Sequence, residues 1–267
     1  MKYKIGDVSK LLGITSEAIR YYEDQGIVNP TKSKSSGYRY YGVWDIHILI
    51  RARTYRQYGY SLSETADLIN RYDLPDIVSN LHEKEMDIEK QIAWYFCLLK
   101  HIREMQDIIK DVQTSQGKYR MEYRPAIYRI DVQDGYELRP DNHTRELYQS
   151  WINKVPFAFP SALFPKSWFE KDINDFTFGL VINEEYADLL NIKQSNDIVF
   201  YSPCLCVYTT LQTNSNMVLS FELLAPAIDY IHSLGMKVCG DIISRVGLMN
   251  KKGNTYQSWH QIWLPVK

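Results

Sequence analysis

Two different spacings of hydrophobic residues divide the chain. Through the first seventy residues, and again over 76–112, apolar side chains recur every three or four positions, which is typical of amphipathic helices. After residue 121 the apolar runs become short, and Gly and Pro separate them, which indicates strands alternating with helices. The pattern therefore predicts an α+β protein whose N-terminal part is helical.

The first two predicted helices are short and joined by a tight turn. Apolar residues at helical spacing over 5–12 predict the first helix, and Gly13 ends it. Thr15 has the side chain of an N-cap, Glu17 lies in the first turn of the next helix, and Gly26 closes that helix. This arrangement indicates a helix-turn-helix, although any small helical hairpin gives the same pattern.

A basic segment over 32–41 follows and ends in alternating aromatic and arginine residues. Such alternation favours a strand, and a hairpin there would present Tyr38, Arg39, Tyr40 and Tyr41 to a phosphate backbone. A helix from Trp44 to Tyr58 is predicted next, with arginines on its outer side, and a second turn and helix complete the unit.

Charge is unevenly distributed along a chain that is almost neutral overall. The chain holds 31 Lys and Arg against 32 Asp and Glu, but residues 1–60 hold ten basic and five acidic residues. A basic segment on a neutral chain suggests that this segment alone binds a polyanion.

A long charged helix is predicted between the two halves, since 76–112 contains no Gly or Pro. Its apolar positions fit a coiled-coil seam: Leu81, Ile88, Ile92, Tyr95, Leu99, Ile102 and Ile109. One helix of a bundle within a single domain is the alternative, but the length and the position favour a dimerisation helix. Residues 113–120 are interpreted as a linker.

The C-terminal half predicts the order strand, helix, strand, strand twice over. Strands are predicted at 128–132, 176–182, 203–211, 237–248 and 259–266, and helices at 141–154 and 217–234. Pro156, Pro160 and Pro165 lead us to expect no single regular element over 156–169. The repeated order suggests a pseudo-repeat with both helices on one side of the sheet.

The N-terminal pattern closely resembles the MerR family of transcription regulators. The resemblance is carried by IGDVSKLLGITSEAIRYYEDQGIV, GYRYY and YRQYGYSLSETADLI, within residues 3–71. It implies that the second helix enters the major groove, that wing-like turns grip the backbone, and that an antiparallel helix pair makes a homodimer. The residues expected at DNA are Thr15, Ser16, Ala18, Arg20, Tyr21, Tyr38, Arg39, Tyr40, Tyr41 and Arg56.

The C-terminal half resembles the GyrI-like effector domain of the multidrug-responsive branch of that family. The resulting organisation is 1–72 for DNA binding, 73–118 for the dimerisation helix and linker, and 119–267 for the effector domain. The many aromatic residues favour a pocket for an aromatic molecule. Rough alignment implies these ligand-binding residues: Tyr148, Trp151, Phe178, Tyr208, Ser244, Tyr256 and Trp259.

One departure from that branch concerns the charge of the ligand. Relatives that bind cationic drugs use a buried glutamate on the strand after the second helix, whereas the alignment gives Ser244 there, beside Arg245. Affinity for a cation would then rest on aromatic faces or on another acid, such as Asp241 or Glu222, and a neutral ligand is the further alternative.

The cysteines do not predict a metal site. Cys97, Cys204, Cys206 and Cys239 suit neither a disulfide framework nor four-ligand zinc, and the cysteines that metal- and redox-sensing relatives carry near the end of the long helix are missing. A soft metal shared by Cys204 and Cys206 is the remaining alternative, with core packing favoured. No metal, cofactor or catalytic residue is expected.

The two family resemblances together imply a dimeric, ligand-responsive transcription regulator that binds and distorts double-stranded promoter DNA so that RNA polymerase can engage it. The alternatives are a regulator whose C-terminal domain hydrolyses a small electrophile, or one whose C-terminal domain binds another protein. No paired carboxylates or Ser/His/Asp spacing favour an enzyme. With no signal peptide and no membrane-length apolar run, a cytoplasmic protein without membrane contact is expected.

Overall fold

The computed structural model describes residues 2–33, 37–167, 176–214 and 221–267. It divides into two compact units, Met1–Ile92 and Ala93–Lys267. Within the described ranges, no helix combines the length and the apolar character needed to cross a bilayer.

The first unit is mainly helical and carries a small sheet. Its elements are β1 (Tyr3–Lys4), α1 (Ile5–Leu12), α2 (Ser16–Asp24), β2 (Thr31–Lys32), β3 (Arg39–Tyr41), α3 (Val43–Gln57) and α4 (Leu62–Asn70). The three strands are antiparallel in the order β1-β3-β2. Val8, Ile19 and Leu49 pack together in the core of this unit. The predicted helix-turn-helix is therefore present as α1 and α2, and the strands of the predicted hairpin are β2 and β3, which we call the wing.

Local capping explains where these helices begin and end. Thr15 Oγ1 accepts a hydrogen bond from the Ala18 backbone N–H at 3.1 Å, which satisfies a donor at the start of α2. Gly13 ends α1 with φ of 64°, a left-handed conformation that favours glycine. At α4, Ser61 and Glu64 cap each other's backbone N–H groups.

The long predicted helix, α5, runs over Leu74–Thr114. Its first part belongs to the first unit and residues 93–114 belong to the second. Seam positions Ile88, Ile92, Tyr95, Leu99 and Ile102 expose 40% to 64% of their surface. A row of large apolar side chains therefore remains uncovered on this helix.

The second unit is built on an antiparallel sheet, which has nine strands among the described residues. The strands are β4 (Arg120–Arg124), β5 (Ile127–Asp134), β6 (Glu137–Leu138), β7 (Ala158–Phe164), β8 (Thr177–Asn183), β9 (Val199–Tyr201), β10 (Cys204–Asn214), β11 (Ile242–Lys252) and β12 (Thr255–Pro265). The helices are α6 (Asn142–Ile152) and α7 (Phe221–Ser233), with a 3-10 turn at Glu184–Tyr186. The strand order is β4-β10-β12-β11-β7-β8-β5-β6, with β9 paired to β5.

The predicted pseudo-repeat is present as β5-α6-β7-β8 followed by β10-α7-β11-β12. Ala158 packs in the cluster of α6, while Ala162 packs in the cluster of α7. Because residues an even number of positions apart in a strand point to the same side, both helices cover one face of the sheet. Phe159 and Leu163 point to the opposite face, where Met105 of α5 covers them.

The structure adds detail to two sequence expectations about elements. Residues 158–164 form one strand despite Pro160, because β11 pairs with β7 only at Leu163 and Phe164 and leaves the proline outside that ladder. The segment interpreted as a linker ends in β4, which pairs with β10. Residues 168–169 of this proline-containing segment and residues 217–220 of a predicted helix lie outside the described residues.

Candidate functional site

A basic groove lies between α1, α2 and the wing. It has a volume of about 460 Å³ and is lined by Lys4, Ile5, Gly6, Asp7, Lys10, Arg20, Gly37, Tyr38 and Arg39. The acidic residue in this lining is Asp7, and its carboxylate accepts a hydrogen bond from the Lys4 backbone N–H at 3.0 Å. Four cationic side chains around one concavity suit a phosphate group.

The wing is held rigidly against α2 by an ion pair. Arg39 Nε lies 2.8 Å from a carboxylate oxygen of Glu23, whose side chain is largely buried. On either side of this pair, Tyr21 exposes 61% and Tyr38 exposes 64% of its surface. The Arg20 side chain is also exposed, so α2 and the wing present cationic and phenolic groups together.

Most of the other predicted DNA residues serve local structure as well. Thr15, Ser16 and Ala18 form the start of α2, and Tyr40 is half-buried in β3. Arg56 donates a hydrogen bond to the backbone carbonyl of Tyr60, which fixes the turn after α3.

Tyr41 corrects the sequence interpretation. Its side chain is wholly buried in the core, and burial raises the pKa of its hydroxyl to about 12. It therefore faces away from any partner. Lys4 and Lys10, which line the groove, were not predicted, although the basic excess of the first sixty residues was a signal for them.

A second cavity, of about 440 Å³, lies in the second unit between α5 and the sheet. Its walls come from α5, the β7 region and β11, namely Leu98, His101, Ile102, Met105, Pro156, Phe159, Pro160, Val246, Gly247, Leu248 and Met249. We call it the α5 cavity. The walls are mostly apolar, and His101 is the one ionisable side chain among them.

His101 is deeply buried in an aromatic setting. Its ring centroid lies 5.3 Å from those of both Phe157 and Phe159, and 6.2 Å from that of Tyr186. Its Nδ1 is buried without a hydrogen-bond partner. Burial, and then the charge of Arg245, lower the pKa of His101, so the ring stays neutral near pH 7.

Next to this cavity, a polar chain crosses from the sheet to α5. Arg245 donates to Gln261 Oε1 through Nη2 at 2.7 Å, and Gln261 Nε2 donates to the Tyr208 hydroxyl at 2.9 Å. That hydroxyl donates in turn to the carboxylate of Asp111 on α5, which also accepts from Arg120 at 2.8 Å. The sheet and the last turns of α5 are thus joined through side chains, not only through apolar packing.

The first unit also matches known proteins in sequence. Residues 3–72 match the family described as MerR HTH family regulatory protein. Over 93 residues the chain is 38% identical to the HTH-type transcriptional regulator CueR of Escherichia coli O157:H7, which covers 33% of this chain and 69% of CueR. The chain belongs to the MerR family of helix-turn-helix transcription regulators.

Two further similarities extend beyond the DNA-binding unit. The chain is 29% identical over 137 residues to heavy metal-dependent transcription regulator 2 of Rhizobium meliloti, covering 45% of this chain and 93% of that protein. The similarity to the solved structure of the EcmrR-DNA complex in EcmrR-RPo covers 99% of this chain and 99% of that chain, at 16% sequence identity and a TM-score of 0.40.

In this MerR-family protein, the seven predicted ligand residues do not share one cavity. Tyr208 and Trp259 lie on the α5 side of the sheet, whereas Ser244 lies on the helix-covered side, where its Oγ accepts from the Ala162 backbone N–H at 3.2 Å. Trp151 is buried in the core under α6, and Tyr148 packs against the same cluster.

Phe178 and Tyr256 line a third cavity, also of about 440 Å³, on that helix-covered side. The five of these seven residues that lie on strands are divided between the two faces by the alternation of side chains, because alignment alone did not fix the register. Arg245 follows Ser244 in sequence but points to the opposite face of the sheet, so the alignment does not predict it as a ligand-binding residue.

The cysteines of this MerR-family protein include one close pair. The Sγ atoms of Cys204 and Cys206 lie 3.6 Å apart on β10, and burial raises the pKa of the Cys206 thiol. Across the part of the chain that the structure describes, no group of three His, Cys, Asp or Glu side chains is placed to hold a metal ion. Burial of Cys206 disfavours the thiolate that a soft metal binds.

Proposed function

We propose that the protein is a dimeric, ligand-responsive regulator that binds and distorts promoter DNA and acts with RNA polymerase. The observation that carries this proposal is the basic groove, where Lys4, Lys10, Arg20 and Arg39 surround one concavity of a MerR-type helix-turn-helix.

The DNA-binding part rests on charge and exposure. Phosphate contacts by Lys and Arg supply much of the affinity for a duplex, and hydroxyl and backbone donors fix the register. The exposed Arg20 and Tyr21 lie on α2, the second helix of the motif, which in such motifs enters the major groove. The wing residues Tyr38 and Arg39 supply flanking phosphate contacts in this proposal.

The homodimer rests on the uncovered seam of α5. Ile92, Tyr95 and Leu99 are large, apolar and exposed in the single chain, and burying such a row is the usual reason for helix pairing. Two copies of α2 related by a twofold axis match a roughly palindromic operator.

The sensing part rests on the α5 cavity. Its apolar and aromatic walls suit a flat organic molecule, and its volume of about 440 Å³ lies within the range of small-molecule sites. Because α5 forms one wall, a ligand there bears directly on the helix that also carries the proposed dimer seam.

The energetics of the proposed switch are feasible. Bending or untwisting a short operator costs on the order of 1–6 kcal/mol, which a few additional phosphate contacts offset. A ligand changes the outcome only if it binds the distorting conformation better than the alternative.

The proposal is tested by a gel shift on the promoter of the protein's own gene across a range of salt concentrations. We expect binding that weakens steeply with salt and is lost or strongly reduced in Arg20→Ala and Arg39→Ala, with Lys193→Ala, exposed in the second unit, as a control. Unchanged binding by both arginine variants, or a chain that stays monomeric in sedimentation, contradicts the proposal.

A further inference from the structure

Arg245 is a buried cation whose hydrogen-bond partners are neutral. It exposes only 9% of its surface and donates to the amide oxygens of Gln261 and Asn183, at 2.7–3.0 Å and 3.2 Å. Within the described ranges no carboxylate oxygen lies within 4 Å of its guanidinium, and the ion pairs of this sheet are made by Arg120 and Arg129 instead. A buried arginine is normally paired with an anion, because taking the charge out of water costs several kcal/mol.

The acids whose charge acts on Arg245, Glu104 and Glu122, are already engaged elsewhere. Glu104 accepts a hydrogen bond from the Tyr186 hydroxyl at 2.8 Å, and burial raises its pKa, which favours the uncharged carboxylic acid. Glu122 forms an ion pair with Arg120, with 2.7 Å between Arg120 Nη2 and a carboxylate oxygen. Neither carboxylate is therefore free to neutralise Arg245.

Aromatic rings hold the guanidinium beside the α5 cavity. Its Cζ lies 4.9 Å from the centre of the Phe159 ring and 5.4 Å from that of Trp263. Phe159 itself lines the cavity and also contacts the ring of His101. Arg245 and the cavity thus meet at one aromatic side chain.

Charge near the cavity favours one class of ligand. Its lining contains no Asp or Glu among the described residues, and the charge of Arg245 reaches its His101. The Glu104 carboxyl group, 4.0 Å from His101 Nδ1, has a pKa that burial raises, which disfavours its negative charge. A guanidinium has a planar fork of donors that matches a carboxylate in two parallel hydrogen bonds. The apolar walls, meanwhile, suit a ring system.

We propose that the α5 cavity binds an aromatic compound that carries a carboxylate, and that Arg245 pairs with this carboxylate. The inference deepens the proposed function, on which it rests, by naming the charge of the effector. It replaces the cationic or neutral ligand that the sequence left open. The carboxylate joins the chain Arg245, Gln261, Tyr208 and Asp111, and so contacts the network that ends on α5.

The test uses three probes that share one ring and differ in charge: 2-naphthoate, 2-naphthamide and 2-naphthylmethylammonium. Calorimetric titration of the full chain measures the affinity for each. We expect 2-naphthoate to bind about tenfold or more tightly than the amide, which corresponds to about 1.4 kcal/mol, and the ammonium to bind most weakly.

Arg245→Met removes the charge while keeping an apolar side chain in a buried position. We expect the preference for 2-naphthoate over the amide to fall to about one, with amide binding retained. Folding is expected to survive, because exchanging a buried unpaired charge for an apolar group is often neutral or stabilising. If the methionine variant does not fold, Arg245→Lys serves instead, since it keeps the charge, loses the fork and is expected to lower the preference.

Two matched variants locate the site. Arg124→Met changes another buried arginine of this sheet, which is 4% exposed and has an unpartnered Nε, and is expected to leave the preference unchanged. Leu248→Trp fills the α5 cavity and is expected to weaken binding of all three probes.

Several outcomes overturn the inference. Preferred binding of the ammonium, equal binding of the three probes, or a carboxylate preference that persists in Arg245→Met or disappears in Arg124→Met each contradict it. So does the absence of binding by 2-naphthoate. In all these cases the gel shift of the full chain decides independently whether the DNA-binding proposal stands.

Discussion

At the scale of single residues, partners decide what a buried polar group can do. His260 and Arg245 lie on opposite faces of the same sheet. His260 Nε2 lies 3.1 Å from the Thr213 hydroxyl and 3.0 Å from that of Ser258, so a neutral ring is satisfied there. Arg245 keeps its charge without a carboxylate partner. His260 therefore has a structural role, whereas Arg245 is suited to bind an anion.

His260 predicts a pH dependence of stability. Burial lowers its pKa in the folded protein to about 4, against about 6.5 when unfolded, so the unfolded chain binds the extra proton between these values. Stability is therefore present above pH 6.5 and falls as the pH drops toward 4, by up to roughly 3 kcal/mol from this residue. Urea unfolding across that pH range measures the free energy of unfolding. Its dependence on pH should be shallower for His260→Asn, while His232→Asn, at an exposed position, should keep the pH dependence of the parent chain.

Lys10 predicts a change in the salt dependence of DNA binding. If its side chain neutralises one phosphate, Lys10→Ala makes the negative slope of log K for DNA binding against log salt shallower by about one. It also weakens binding similarly for all DNA sequences. Fluorescence anisotropy with specific and scrambled duplexes measures both effects. A slope equal to that of Lys193→Ala removes Lys10 from the interface.

At the scale of elements, α5 has two different apolar surfaces. Residues in its last part, such as Met105 and Ile108, pack onto the sheet. The contact is so close that a Cβ added at Gly247 of β11 would lie 2.5 Å from Ile108 Cγ2. Other apolar residues, such as Tyr95 and Leu99, remain exposed. One helix thus packs on the sheet and also keeps a row of exposed apolar side chains.

The exposed surface of α5 predicts the oligomeric state. Ile92→Glu places a charge in the proposed seam, where an unpaired buried carboxylate is costly, so the dimer should dissociate at micromolar concentration. Gln91→Glu, an exposed neighbour on the same helix, adds the same charge outside the seam and should remain dimeric. Analytical ultracentrifugation distinguishes the two, and a dimeric Ile92→Glu would place the interface elsewhere.

At the scale of the whole molecule, sensing requires that ligand and DNA influence each other. Whatever factor a ligand applies to the affinity for promoter DNA, DNA must apply to the affinity for the ligand, because the coupling free energy is shared. The chain from Arg245 to Asp111 is a polar connection between the sheet and α5, and we expect the coupling to pass through it.

Tyr208→Phe tests that connection in the intact protein. Removing the hydroxyl breaks the link between Gln261 and Asp111 but keeps the ring, so ligand binding should persist while the coupling factor falls toward one. Titrations of ligand with and without promoter DNA, and of DNA with and without ligand, give the factor in both directions. A coupling factor equal to that of the parent chain means that coupling does not pass through Tyr208.

The sequence alone determined the local elements and the order in which they occur. Thr15 and Gly13 mark helix boundaries through backbone hydrogen bonds and a left-handed φ, which depend on near neighbours. The helical spacing of α5 and the repeated order of strands and helices are likewise local patterns, and the basic excess at the N-terminus indicated which part meets DNA.

Only the tertiary structure decided which side chains meet. Tyr41 and Tyr38 belong to the same aromatic run, yet one is in the core and the other is exposed, because strand pairing sets the face. Pro160 lies within a strand because its neighbour β11 pairs elsewhere along β7. A shift of one residue exchanges Ser244 for Arg245 on the α5 side, and register over such distances arises from packing between strands far apart in sequence.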